Sequence, residues 1–95
     1  MLTSKQRATL RARANKEDTI LQVGKGGIND NLIIQVDGAL NAREIIKLRN
    51  LETSPLSVKE VAEQIAKATK SEVVQVIGTR FVLYRENKEN KKIYI

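Results

Sequence analysis

Residues 19–27 read TILQVGKGG and combine a short apolar run with a glycine-rich turn. Thr19–Val23 has the apolar and β-branched content of a strand. The turn is Gly24-Lys25-Gly26-Gly27, and the residues after it show helical spacing. Backbone N–H groups at glycines approach an anion closely, and the N-terminus of a following helix adds positive potential. The stretch therefore predicts a strand–loop–helix unit whose loop binds phosphate.

Three helices are predicted from capping signals and from apolar residues spaced three and four apart. Capping boxes are present at residues 3–6 (TSKQ) and 57–60 (SVKE), and Asn29 or Asp30 is a suitable cap for the helix after the glycine turn. The predicted helices cover residues 3–14, 29–42 and 57–69.

Three further strands are predicted, at residues 44–51, 72–77 and 80–86. The last two are joined by Gly78-Thr79, which favours a hairpin with a type II′ turn. Right-handed crossovers make the first three strands parallel, and the hairpin adds one antiparallel strand. Residues 1–95 are therefore expected to form one α/β domain, a two-layer αβαβαββ fold with a mixed four-stranded sheet.

The hairpin register predicts which side chains share a face. With Ile77 opposite Arg80, one face is apolar and should meet the helices, through Val74, Val76, Phe81 and Leu83. The other face is mixed and is either covered by the first helix or partly exposed. The tail at residues 87–92 is polar and expected to be mobile, with docking of residues 93–95 as a short strand left open.

Charge and composition restrict the function. The chain has 17 Lys and Arg against 11 Asp and Glu, a formal charge of +6, which favours a polyanionic partner. There is no long apolar run, and the first helix lacks the strong apolar face of a membrane anchor, so we expect a cytoplasmic protein without a membrane partner. The absence of Cys and His argues against thiol and imidazole catalysis and the usual zinc sites, so no enzyme, cofactor or metal is predicted.

The candidate site combines the glycine turn with the basic first helix. Residues 1–27 contain six Lys or Arg and two acidic residues, so a joint phosphate-binding surface is plausible. For the turn alone, a simple tight bend is an equally good interpretation. Cations further along the chain are interpreted as solubilising charges, and the aromatic residues as packing residues rather than a stacking platform. The predicted site residues are Gly24, Lys25, Gly26, Gly27, Lys5, Arg7, Arg11 and Arg13.

Five ordered blocks carry a resemblance to a known family. They are the first-helix residues Leu2-Thr3, Lys5-Gln6-Arg7, Leu10-Arg11 and Ala14, then residues 23–28 (VGKGGI), 44–47 (EIIK), 76–78 (VIG) and 83–85 (LYR). This set resembles the CRM domain, specifically the single-domain bacterial YhbY-like proteins, over nearly the whole chain. Arg43 is a departure, because relatives often carry histidine there.

The resemblance implies a fold similar to the C-terminal domain of bacterial translation initiation factor three. It also implies RNA binding through the glycine turn with basic residues of the first helix nearby, and association with precursors of the large ribosomal subunit. We therefore expect a non-enzymatic protein, with a monomer favoured, that binds structured ribosomal RNA and assists ribosome assembly. Two alternatives stay open: a DNA-binding chromatin-type protein, and an adaptor that binds a ribosomal protein through the mixed sheet face.

Overall fold

The computed structural model describes residues 2–89 and 91–94, and its elements follow the predicted αβαβαββ order. Their ends differ from the predicted ends by at most two residues. The elements are α1 (Ser4–Ala14), β1 (Thr19–Val23), α2 (Asp30–Arg43), β2 (Ile45–Asn50), α3 (Val58–Thr69), β3 (Glu72–Ile77) and β4 (Arg80–Tyr84).

The helices begin at the predicted caps. Thr3 Oγ1 accepts a hydrogen bond from the Gln6 N–H at 3.1 Å, and the Gln6 side chain accepts one from the Thr3 N–H at 3.0 Å. Ser57 and Glu60 form the same capping box at α3. Asn29, rather than its neighbour, caps α2, and its side-chain oxygen accepts the backbone N–H three residues on at 2.9 Å. Each cap satisfies N–H groups that would otherwise have no acceptor.

The sheet order is β1-β2-β4-β3, with β1 parallel to β2 and β4 antiparallel to both β2 and β3. The first three strands therefore run in one direction, which confirms the predicted mixed sheet. We call one end of this sheet the loop end; it carries the C-terminal ends of β1, β2 and β3 and the start of β4. The opposite end, where β4 finishes and the C-terminal tail begins, is the tail end.

Helices cover both faces of the sheet. On one face, α2 and α3 enclose the larger core with alternate strand residues such as Leu48, Phe81 and Leu83. On the other face, Leu10 and Ala14 of α1 pack on a second cluster that includes Ile45, Val74, Val82 and Tyr84. The α/β class and the sheet are as predicted, but α1 adds a third layer to the two that were expected. Both faces of β4 are apolar, so each requires a cover.

The hairpin register holds near the turn and changes further along β3. Ile77 pairs with Arg80 as predicted, but the register shifts between Val73 and Gln75. The prediction that Val74 shares a face with Phe81 is therefore wrong, because Val74 packs in the α1 cluster. One extra residue in a strand moves the residues beyond it to the opposite face.

The C-terminal tail is fixed by a buried carboxylate, which corrects the expectation of a mobile segment. Glu44 is 0% exposed; its Oε2 accepts the Asn87 N–H at 2.8 Å, and its Oε1 accepts the Ile93 N–H at 2.7 Å and the Lys92 N–H. Ile93 is buried in the α1 cluster. Residues 87–89 and 91–94 form no strand, and Asn90 and Ile95 lie outside the described residues.

The same contacts determine the ionisation of Glu44. Burial raises the pKa of this carboxyl group, but the three backbone N–H donors and the charge of Lys91 lower it more, so that it lies below the ordinary value of 4.5. The ionised form is therefore stabilised by folding.

Glu44→Gln should lower the free energy of unfolding at neutral pH by about 2–3 kcal/mol, because the amide nitrogen cannot replace a carboxylate oxygen as an acceptor in this buried position. Since the folded pKa lies below the unfolded one, the contribution of Glu44 is complete above the unfolded value. It is lost as the pH falls below 4.5 through the folded pKa. Urea unfolding of both proteins at neutral and acidic pH measures the difference.

The exposed Glu63→Gln is the matched control and should change stability by less than about 0.5 kcal/mol. A difference between Glu44→Gln and the unsubstituted protein that stays constant with pH would contradict the role of the ionised carboxylate.

Candidate nucleic-acid interface

The glycine turn closes on itself and exposes its tip. The Gly27 N–H donates to the Gly24 carbonyl at 2.9 Å, which places Lys25 and Gly26 at an exposed tip. Gly27 is buried and has a φ of 64°, and a Cβ there would lie 3.1 Å from Pro55 Cγ. The tight-bend interpretation therefore applies to Gly27, whereas the tip is open to a ligand.

The tip offers backbone donors. Within the described part of the chain, the N–H groups of Lys25 and Gly26 have no acceptor, whereas that of Gly27 is used by the turn itself. A Cβ on Gly26 would lie 3.5 Å from Asn29 Nδ2, an ordinary contact, so the fold does not require glycine there on steric grounds. The absence of a side chain leaves these donors accessible to an anion.

A second loop, residues 51–56, packs against the glycine turn. The Asn50 side chain donates to the Leu56 carbonyl at 2.9 Å, and the Leu51 N–H donates to the Val23 carbonyl at 2.8 Å. These bonds hold Pro55 against Gly27. The position of the turn is therefore determined by the ends of β1 and β2.

The charge around the turn is mixed. Lys25 is exposed, but Asp30 lies in the first turn of α2 and the exposed Glu52 lies in the supporting loop. A carboxylate at a helix N-terminus already interacts with the positive end of the helix. Lys25 is therefore one cation beside two carboxylates, so the turn alone is not a basic site and further cations must come from another element.

The predicted cations of α1 divide into two groups along the helix. Arg7 lies at the tail end, where its Nη1 donates to the Val73 carbonyl and its Nη2 lies 4.0 Å from Glu72 Oε2. Arg7 therefore links α1 to the edge strand β3. Lys5 is exposed near the start of the same helix, which also lies at the tail end. The structure does not bring Lys5 or Arg7 next to the glycine turn.

The last turn of α1 lies closer to the loop end. Asn15, directly after the helix, lines a depression together with Arg80 at the start of β4. Arg13 is exposed and Arg11 is half-buried in the preceding turn. Of the four predicted helix cations, these two are therefore the ones nearer the loop end of the sheet.

A further set of cations, interpreted from the sequence as solubilising charges, lies on the sheet itself. We call it the basic sheet face: Lys47 and Arg49 on β2 and Arg80 on β4. These residues lie on the side that α1 covers, beyond the end of the helix. Arg49 and Arg80 are direct cross-strand partners. Like charges in this arrangement repel each other, and a bound anion would relieve the repulsion.

The positive charges of the basic sheet face are not neutralised by acidic side chains among the described residues. Among the described residues, none of its three cations forms an ion pair, and Arg49 Nε is buried without an acceptor. Arg85 behaves differently: its guanidinium contacts Asp37 Oδ1 at 2.6 Å and the Thr69 carbonyl at 2.7 Å. Arg85 therefore stabilises the fold, whereas the basic sheet face is available to a ligand.

The alternation of Lys47 and Arg49 with buried residues was a usable signal in the sequence, since it predicts one basic face for β2. What the sequence did not reveal was that β4 inserts beside β2 and adds Arg80 to that face.

Among the described residues, no cluster suited to holding a metal ion occurs, and no helix is long and apolar enough to cross a bilayer.

Comparison with known proteins identifies the family of the chain. Residues 2–85 match the model of the CRS1 / YhbY (CRM) domain. The chain belongs to this family. The match includes α1, the glycine turn and all four strands, so the surfaces described above lie within the CRM domain.

Relatives in this family carry names that refer to RNA. The chain is 50% identical over 93 residues to "Probable RNA-binding protein YqeI" of Bacillus subtilis, covering 98% of this chain and 97% of that protein. It is 29% identical over 90 residues to an RNA-binding protein of Haemophilus influenzae, covering 95% and 91%. The solution structure of SAV1595 from Staphylococcus aureus, described as a candidate RNA-binding protein, superposes with a TM-score of 0.83 at 52% identity, covering 100% and 99%.

Gly27→Ala should destabilise the CRM domain by about 1–2 kcal/mol, because the left-handed conformation is unfavourable for alanine and the new methyl group would crowd Pro55. Gly26→Ala is the matched control and should change stability by less than about 0.5 kcal/mol. Thermal unfolding measures both, since 1 kcal/mol shifts the midpoint of a domain this size by roughly 4–8 °C. Equal midpoints for the two variants would contradict the structural role of Gly27.

Proposed function

We propose that this CRM-domain protein binds structured ribosomal RNA and, without catalysis, assists assembly of the large ribosomal subunit. The observation that carries the proposal is the presence, at one end of the sheet, of two kinds of unused anion-binding group. The glycine tip has N–H donors without acceptors, and the basic sheet face has cations without acidic partners. The RNA-related names of the relatives support RNA as the ligand.

The proposed binding mode is capture of the RNA backbone. The amides of Lys25 and Gly26 bind a phosphate, and the Lys25 side chain adds a charge-assisted contact. The basic sheet face, with Arg11 and Arg13 of α1, extends the contact along the backbone. Phosphate contacts supply affinity without reading sequence, so specificity comes from the shape of the RNA.

The arginines that stabilise the fold differ from the cations that we assign to RNA binding. Arg7 and Arg85 have acceptors within the protein and are assigned to the fold. The ribosomal part of the proposal rests on the resemblance of the chain to single-domain YhbY-like proteins. We further propose that the protein acts in the cytoplasm as a monomer.

Lys25→Glu should raise the dissociation constant for a labelled RNA hairpin about tenfold without a change in thermal stability, because the side chain is exposed and makes no core contact. The slope of log affinity against log salt should become shallower by roughly one, as expected for the loss of one phosphate contact. Fluorescence anisotropy at several salt concentrations measures both quantities.

Lys88→Glu provides the matched control, since it makes the same charge change at an exposed position near the tail end. This variant should bind the hairpin nearly as well as the unsubstituted protein. Equal losses in the two variants would show that only net charge matters. Stronger binding to a DNA hairpin of the same sequence would favour the chromatin-type alternative over the proposal.

Crosslinking in cells followed by sequencing of the attached RNA should recover segments of large-subunit ribosomal RNA, enriched from precursor particles rather than from mature subunits. The yield should fall in Lys25→Glu and persist in Lys88→Glu. Crosslinks confined to small-subunit or messenger RNA would overturn the ribosomal assignment. Association with ribosomal protein that persists in Lys25→Glu without RNA crosslinks would favour the adaptor alternative.

A further inference from the structure

The basic sheet face borders a depression of about 130 Å³ that is not explained by backbone capture. It opens between the end of α1 and the β3–β4 hairpin, on the side of the sheet that α1 packs against but beyond the end of the helix. We call it the sheet-face depression. Its lining combines cations, amides and apolar side chains: Asn15, Lys47, Gln75, Ile77, Arg80 and Val82.

The apolar part of this lining consists of one exposed and one buried side chain. Ile77 is 61% exposed on the edge strand, whereas Val82 is 3% exposed and forms the base of the depression. Ile77 is directly opposite Arg80 in the hairpin. What distinguishes Ile77 from other exposed aliphatic residues is its place beside a cation in the lining of a depression.

The polar part offers groups that match a nucleotide. Asn15 and Gln75 carry side-chain amides, each with donors and an acceptor, which can hydrogen-bond to the edge of a base. Lys47 supplies a point charge for phosphate, and the planar guanidinium of Arg80 can stack on a base as well as bind phosphate. None of the described residues that line the depression is acidic.

We propose that the sheet-face depression receives one unpaired nucleotide of the bound RNA. The base packs against Ile77 and the Arg80 guanidinium, its edge meets the amides of Asn15 and Gln75, and its phosphate lies on Lys47. In a continuous duplex the faces of the bases are stacked on their neighbours and cannot contact Ile77. The depression therefore directs the protein to RNA that contains a loop, a bulge or a single-stranded end.

This inference deepens the proposed function and rests on it, since it assigns a second contact to the same RNA. The glycine tip and the cations bind any RNA backbone, whereas the depression distinguishes unpaired from paired RNA. The two contributions can be separated by experiment because Ile77 and Gln75 of the depression carry no charge, whereas backbone capture by the tip depends on Lys25.

The test compares a single-stranded RNA of about 12 nucleotides, a length typical of single-strand binding sites, with the blunt duplex of the same sequence. Ile77→Ser should weaken binding of the single strand about fivefold or more, the lower part of the range for one base contact, and leave duplex binding unchanged. The salt slope should not change, because no charge is lost. Gln75→Ala should show the same selectivity.

Ile34→Ser is the matched control, since Ile34 is 68% exposed on α2, on the other side of the sheet. It should bind both RNAs like the unsubstituted protein. Circular dichroism and thermal unfolding confirm that each variant is folded. If Ile77→Ser is unstable, Gln75→Ala decides the question alone.

The outcomes separate this inference from the proposed function. Equal weakening on both RNAs in Ile77→Ser and Gln75→Ala, or no weakening on the single strand, overturns the assignment of the depression. If Lys25→Glu still reduces binding in that case, backbone capture stands without it. Failure of the unsubstituted protein to bind either RNA overturns both.

Discussion

The fold depends on the position of β4 between β2 and β3. This strand pairs on both edges, and its residues from Phe81 to Tyr84 are buried on both faces. Burial of several large side chains contributes roughly 1.5–3 kcal/mol for each, which is a large share of the stability of a domain this small. The three-layer arrangement follows, because each face of β4 needs its own helical cover.

The same insertion creates the basic sheet face. Arg80 begins β4, so pairing with β2 places it opposite Arg49. The cost of two opposed cations is modest at a solvated position, of the order of 0.2–1 kcal/mol, and the buried part of β4 offsets it many times over. The repulsion is therefore tolerated in the free protein, and a bound anion would offset it. Arg7 and Arg85 differ because carbonyl or carboxylate oxygens already neutralise part of their field.

Local sequence signals predicted the helices and strands well, but they could not predict contacts between residues distant in sequence. Thr3, Asn29 and Ser57 act within three residues, so their caps could be read from the chain. The φ of 58° at Gly78 likewise suits the predicted hairpin turn. The sequence leaves docking of residues 93–95 open, but the hydrogen bonds from the tail to Glu44 were not predicted, because they join residues more than forty positions apart. The register shift at Val74 was not predicted. The side chains on both faces of β3 are apolar near its start, so no alternation of polar and apolar residues indicated which face Val74 would occupy.

The candidate site shows the same division. The glycine turn could be located from its sequence, but the different roles of its glycines could not. The left-handed conformation and the contact with Pro55 require glycine at position 27, whereas neither applies to Gly26. Grouping the α1 cations by sequence proximity was misleading, since a helix of 11 residues spans about 16 Å and separates Lys5 from Arg13. The cations at the loop end come instead from strands that are distant in sequence. Because Asp30 and Glu52 offset Lys25, a ligand held by the turn would meet an excess of positive charge only by also reaching that face, which lies at the same end of the sheet.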